Sequence, residues 1–230
     1  MDIMPPQMVS YNSCRWLVFD TEFIARYGIC AFLQFAAQLF YNQRVWQRES
    51  FYFRSPVQSL PKWVVKYTGI TSEKLATGYP PEQGLQKMLA VLMQDDLIYV
   101  GHGIQSDFRL LFKIIYEQFP HLVTPAVAQF YHRWYHNQLP IYDTQLAAAI
   151  LSGQSAKRPK LQVLMERYDI VLNADYLHAA DFDVAAILAV FQQQVFLWLQ
   201  HGEQIPLYFD RIKPPDQETA VDSPDGESSA

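Results

Sequence analysis

Cysteine is nearly absent from this chain: Cys14 and Cys30 are the only two in 230 residues. Their spacing suits neither a zinc site nor a framework of disulfides. An oxidised, disulfide-stapled scaffold is excluded, and a soluble protein in a reducing, cytoplasmic setting is expected. Cys30 lies in an apolar stretch and reads as a small core residue rather than a nucleophile. No apolar run reads as long enough to span a membrane, and the first residues lack the basic-then-apolar order of a secretory signal. Positive charge is short as well. The chain carries 18 Lys and Arg against 23 Asp and Glu, a formal charge of -5, which gives no electrostatic argument for a polyanionic partner. That deficit has one source. Asp216, Glu218, Asp222, Asp225 and Glu227 follow Pro214 with no Lys or Arg among them, so the tail holds the whole excess and the body is formally neutral. Residues 214–230, rich in Pro, Ser, Gly and acids, cannot bury a core and are expected to be disordered. No internal repeat divides the rest.

What remains is half hydrophobic and long enough to bury one α/β core. The run Trp16-Leu17-Val18-Phe19 reads as a buried strand. Ile29 to Phe40 and Val45 to Phe53, rich in aromatic and aliphatic residues, extend it into an antiparallel meander. Further strands are expected at Leu97 to Val100 and Leu139 to Tyr142. Helices are expected over Pro61 to Tyr67, after an N-cap at Thr71, and over Leu85 to Met93 and Phe108 to Phe119. Others run from Asp143 or Thr144 through Leu151, over Lys160 to Tyr168 and over Phe182 to Leu199. Residues 120–140 are longer than a simple connection needs and read as an amphipathic helix. A meander followed by alternating helix and strand is the order of a mixed sheet flanked by helices.

Five side chains in this frame suggest chemistry. Asp20 and Glu22 follow the first apolar run and share one face of its strand. Two carboxylates so placed repel unless a cation lies between them. Asp107 comes soon after the run Leu97 to Val100 and opens a helical stretch. Asp183 lies at the head of a long apolar helix, where an ionised carboxylate must be paired or bound to metal; Asp181, two residues earlier, competes for that role. An all-oxygen set suits Mg²⁺ or Mn²⁺. Two such ions about 3.5 to 4 Å apart can activate a water and bridge a scissile phosphate. His178, five residues before Asp183, titrates near neutral pH and can serve as a general base. Asp143 is explained more simply as a helix cap than as a fifth acid.

Taken in order, Asp20-Thr21-Glu22, His102 to Asp107 and His178 to Asp183 resemble the three motifs of the DnaQ-like 3′-5′ exonucleases of the DEDDh type, in the ribonuclease H-like superfamily. The likeness extends to Thr68-Gly69-Ile70-Thr71, to Tyr142-Asp143-Thr144 and to the basic loop Lys157-Arg158-Pro159-Lys160-Leu161, and it covers roughly Trp16 to Leu199. It departs at Gly103, where many relatives carry Asn, and at Phe182, where relatives often carry an acid. The resemblance implies an α/β ribonuclease H-like fold, a mixed five-stranded sheet flanked by helices, with an exonuclease domain over 14–202 after an N-terminal extension over 1–13. It implies a metal-dependent 3′-5′ exonuclease that releases nucleoside 5′-monophosphates from single-stranded or frayed nucleic acid, DNA favoured. Asp20, Glu22, Asp107 and Asp183 would hold two Mg²⁺ or Mn²⁺ ions, and His178 would be the base.

On the substrate side the resemblance places Thr21, Phe23, a supporting His102, Lys157 and Arg158; for Phe23, core packing is an equal reading. RNA cleavage is one alternative. A non-catalytic relative that only binds nucleic acid or protein is another, and the filled acid positions weigh against it. Within 203–213, Gln204-Ile205-Pro206-Leu207-Tyr208-Phe209 resembles the peptide with which bacterial replication proteins, the proofreading subunit of DNA polymerase III among them, grip the sliding clamp. The competing reading is that this segment docks back onto its own domain. Several relatives are dimers, so a homodimer is compatible with the resemblance.

Overall fold

The structure, a computed structural model, describes residues 7–26, 29–54, 60–153, 158–172, 179–200, 202 and 204–207. In chain order its elements begin with strands β1 (Gln7–Ser10), β2 (Arg15–Arg26), β3 (Ile29–Tyr41) and β4 (Arg44–Tyr52). Three helices follow, α1 (Lys62–Thr68), α2 (Ser72–Ala76) and α3 (Pro81–Leu92), then β5 (Leu97–Gly101), α4 (Gln105–Gln118) and α5 (Pro125–Tyr135). The chain continues through β6 (Ile141–Asp143), α6 (Thr144–Leu151), α7 (Leu161–Arg167), α8 (Ala180–Leu199) and β7 (Gln204–Leu207). Five strands form one sheet in the order β4-β3-β2-β5-β6. The β2–β3 and β3–β4 pairs are antiparallel, while β2–β5 and β5–β6 are parallel. This is the mixed five-stranded sheet that the sequence implies. The hairpin between β3 and β4 turns through Asn42 and Gln43, both left-handed with φ of 46° and 61°, a two-residue turn whose twist suits adjacent antiparallel strands.

Alternation along β2 feeds two cores. Leu17 and Phe19 pack with Phe108 and Phe112 of α4 and with Phe130 and Trp134 of α5. Trp16 and Val18 pack on the other face with Val184, Ile187, Phe191 and Val195 of α8. Helices thus cover β2 on both sides, which is why it reads as an unbroken apolar run. The segment 120–140 is the expected amphipathic helix: the Thr124 hydroxyl caps α5, and Val127, Phe130 and Trp134 are its buried stripe. In α4 the structure departs from expectation by starting at Gln105 rather than Phe108. The reason is Gly103, at φ +70°, which turns the chain from β5 into the helix while its N–H donates to Asp143 Oδ1 at 3.1 Å. Gly and Asn tolerate this left-handed conformation best, so a glycine suits this turn.

Helix α8 corrects a second expectation. Its 20 residues are long and apolar enough, by length and composition, to cross a membrane. Its apolarity has a local cause, because it lies between two layers: Phe191 and Val195 face the sheet, while Ala186 and Val190 face Leu164 and Met165 of α7. A buried glutamine ties it in place. Gln194 Nε2 donates to the Thr144 carbonyl at 2.9 Å, and the Tyr142 hydroxyl donates to Gln194 Oε1 at 3.2 Å.

The two-stranded ladder of β1 with β7 was not expected from sequence. Gln7 lies opposite Leu207 and Ser10 opposite Gln204, and Ile205 and Leu207 are completely buried in the Trp16–Phe191 core. Of the two readings of this segment, the burial of Ile205 and Leu207 favours the one in which it docks back onto its own domain. Tyr208 and Phe209 lie outside the described residues.

Candidate active site

The β2–β5 ladder ends at the Val18–Val100 pair, yet β2 continues along β3 as far as Arg26. Past Val18 one edge of β2 is therefore unpaired by β5. This free edge lies at the carboxyl ends of the parallel strands, where an open α/β sheet usually has its ligand crevice. Asp20 and Glu22 share the α8 side of β2 with Trp16 and Val18. The first turn of α8 brings Asp183 to them, and one carboxylate oxygen from each of the three lies within 4.8 Å of the others. Thr21 points the opposite way. Its hydroxyl donates to Asp107 Oδ1, so Asp107, in the first turn of α4, joins the site from the other face of the strand. Thr21 is itself buried, and its hydroxyl is committed to this carboxylate rather than to the crevice.

The electrostatics describe a site short of positive charge. Burial, then the negative charges of Asp107, Asp183 and Glu22, push Asp20 well above the ordinary carboxylate range. Glu22 is pushed up to about 9, by burial first and then by Asp183 and Asp107. Asp107 rises to about 7, because burial outweighs the hydrogen bond from Thr21 that pulls it down. Among the described residues, no Lys or Arg pairs with Asp20, Glu22 or Asp107. Buried and part-buried carboxylates such as Asp20, Glu22 and Asp107, without a basic partner among the described residues, either hold protons or hold cations. The donor set is all oxygen, which fits a hard divalent ion. Asp20, Glu22 and Asp183, with Asp107 beside them, are the groups that would hold it.

The structure separates the two competing acids of the third motif. Asp183 is buried among the carboxylates. Asp181 is exposed and accepts a hydrogen bond from Gln34 Nε2 at 3.3 Å. Asp143 is a cap: its Oδ1 accepts from the backbone N–H of Gln145 and Leu146 at 2.9 and 3.3 Å, as well as from Gly103.

His102, for which the resemblance implies a supporting role, follows the end of β5 at Gly101 and contacts Thr144 at the start of α6. The Thr144 hydroxyl lies 3.0 Å from the Gly101 carbonyl and 3.1 Å from His102 Nδ1, and His102 Nε2 is buried with no hydrogen bond among the described residues. Burial holds His102 below the usual histidine range, against the opposing pull of Asp143 and the Pro159 carbonyl, although neither bonds to Nε2. Phe23 sits just past the irregularity in the β2–β3 ladder and is 36% exposed beside Glu22, unlike Phe108, which is fully buried. Arg158 is exposed, while Lys157 and His178 lie outside the described residues. The sequence reading missed Gln34. Its signal was one of two amides, with Gln38, within the apolar strand Ile29 to Phe40, where a polar group needs partners.

Acids gathered from a strand and two helices at the open end of a mixed sheet define a nuclease-like centre on a DnaQ-like fold. Residues 17–191 match the family model described as Exonuclease, and the chain belongs to that family. It is 26% identical over 190 residues to a PolC-type DNA polymerase III of Mycoplasma genitalium, a match that covers 81% of this chain and 12% of that protein. The fold is similar to that of E. coli Exonuclease I in complex with a dA16 oligonucleotide, with a TM-score of 0.60 and 18% identity over 80% of this chain and 41% of that one. It is also similar to a 3′-exonuclease described in 3′-end-specific recognition of a histone mRNA stem-loop, with a TM-score of 0.57 and 13% identity over 81% of this chain and 66% of that one. This chain therefore spans only a small part of the polymerase and about two fifths of Exonuclease I.

Proposed function

We propose that the protein is a 3′-5′ exonuclease that hydrolyses the terminal phosphodiester of a single-stranded or frayed end and releases nucleoside 5′-monophosphates. The observation that carries this reading is the convergence of Asp20, Glu22 and Asp183, joined by Asp107, with no basic partner on Asp20, Glu22 or Asp107 among the described residues. Two divalent ions, Mg²⁺ or Mn²⁺, would supply charge neutralisation of the phosphate and leaving oxygen when bound. The four carboxylates hold the cationic centre at the crevice. Thr21 keeps Asp107 turned toward it. His178 takes the proton from the attacking water as general base, the role for which a histidine side chain is most often used. The half-exposed ring of Phe23 stacks on the terminal base, a contact that tolerates any sequence. Arg158 and Lys157 draw the phosphates in, and His102 supports the far side of the crevice.

DNA is the favoured substrate. The similar polymerase acts on DNA by its name, and the similar Exonuclease I structure holds a DNA oligonucleotide; the likeness to an enzyme of histone mRNA makes RNA the second reading.

The test is cleavage of 3′- and 5′-labelled DNA and RNA oligonucleotides with Mg²⁺ or Mn²⁺, and with chelator. The expected outcome is mononucleotide release from the 3′ end, faster on DNA, abolished by chelation and by Asp20→Ala. His178→Ala should lower turnover by about 10² to 10⁴ while binding is largely kept. Activity that survives chelation or Asp20→Ala would overturn the reading.

A further inference from the structure

Gln34 lies on β3 directly opposite Glu22 of β2 and is 1% exposed. Its amide is fully used. Oε1 accepts the backbone N–H of Ala180 at 3.1 Å, and Nε2 donates to Asp181 Oδ1 at 3.3 Å and to Ser50 Oγ at 3.4 Å. Ala180 is the first residue of α8, and the preceding Ala179 makes no side-chain cap. The first N–H groups of a helix have no partner within it. A side chain distant in sequence, on the neighbouring strand, supplies the acceptor that Ala179 lacks.

This matters because apolar packing does not fix the axial position of a helix. Burial is non-directional, and α8 offers an apolar surface to the sheet over most of its length. Directional bonds must set where it stops. Among the described residues, two buried glutamines make such bonds, Gln194 within the helix and Gln34 at its amino end. Of these two, Gln34 is the one at the turn that carries Asp183, and its strand position is the cross-strand partner of Glu22.

We propose that Gln34 is a positioning residue that gauges the spacing between Glu22 and Asp183 and so tunes the affinity of the carboxylate cluster for divalent cations. The proposal rests on the cation-binding part of the function proposed above. Outer partners that orient metal ligands typically contribute about 10- to 100-fold in metal affinity or activity.

The test uses the full chain and Mn²⁺ alone, with binding followed by calorimetry and, separately, by the Mn²⁺ concentration that gives half-maximal nuclease activity. Gln34→Met keeps the side-chain length and removes all three bonds. It should weaken Mn²⁺ binding by about 10-fold or more and lower kcat while KM for the oligonucleotide stays within about 2-fold. Gln194→Met, which loosens the same helix away from the acids, should lower Tm yet leave Mn²⁺ affinity unchanged. The double variant Gln34→Glu, Asp181→Asn exchanges donor and acceptor and keeps the acceptor for Ala180; it should bind Mn²⁺ more tightly than Gln34→Met and stands in if that variant does not fold. Equal Mn²⁺ affinity in Gln34→Met and the parent would overturn the proposal while leaving the nuclease reading intact. Weakened Mn²⁺ binding in a chain that cuts neither DNA nor RNA would uphold the positioning role and end the nuclease reading. Failure of the parent to bind Mn²⁺ would end both.

Discussion

Glu22 and Asp107, held up to about 9 and about 7, make the cation-free protein sensitive to base. A carboxylate whose folded pKa lies above its unfolded value contributes stability fully below the unfolded value, near about 4, and that stability is lost as pH rises through the folded value. Without divalent ions, Tm should therefore fall as pH is raised from about 4 through about 7 and on toward about 9. Mn²⁺ should recover most of the loss, since ions bind the ionised form. Differential scanning at several pH values, with chelator and with Mn²⁺, checks this; a Tm that rises with pH in chelator would contradict it. At this scale the sequence was informative to different degrees. Asp20 and Glu22 were legible because strand alternation places i and i+2 together. Asp183 could not be separated from Asp181 by spacing, since both occupy the first turn of α8 and only its rotation against β2 decides which faces the acids. The bond from the Thr21 hydroxyl to Asp107 was not legible, because the two residues are far apart in sequence.

Among the elements, α8 carries the largest share of the second core and also delivers Asp183. Phe191, fully buried, touches the rings of Tyr11, Trp16 and Tyr142, with centroids 4.9 to 6.0 Å away. Phe191→Ala should cost about 3–5 kcal/mol, a drop in Tm of roughly 10 °C. Thermal unfolding measures it, and a loss below about 1 kcal/mol would mean that α8 packs elsewhere. The strands, the Thr71 cap and most helices were readable from periodicity and capping chemistry. The β1–β7 ladder was not. It joins the two ends of the described chain, and nothing local in either four-residue stretch announces its partner. The early start of α4 was missed for a related reason, because the Gly103 turn is stabilised by Asp143, a residue of another strand.

For the molecule as a whole, the mixed sheet sets the geometry and the acids set the charge. A formally neutral body gives little long-range attraction for nucleic acid, so the proposed function rests on local contacts at the acidic site rather than on steering by a basic surface. The fold class was legible because the order of meander and alternating helix and strand leaves few topologies. The preferred nucleic acid was not, since no base-reading side chain is marked by spacing. The most direct test of a carboxylate-held cation centre is a 5′-labelled single-stranded DNA incubated with the parent, Asp183→Asn and Asp181→Asn in Mg²⁺ or chelator. The parent and Asp181→Asn should shorten the strand from its 3′ end in Mg²⁺ alone, and Asp183→Asn should leave it intact. Shortening in chelator, or by Asp183→Asn at the parental rate, would contradict the assignment.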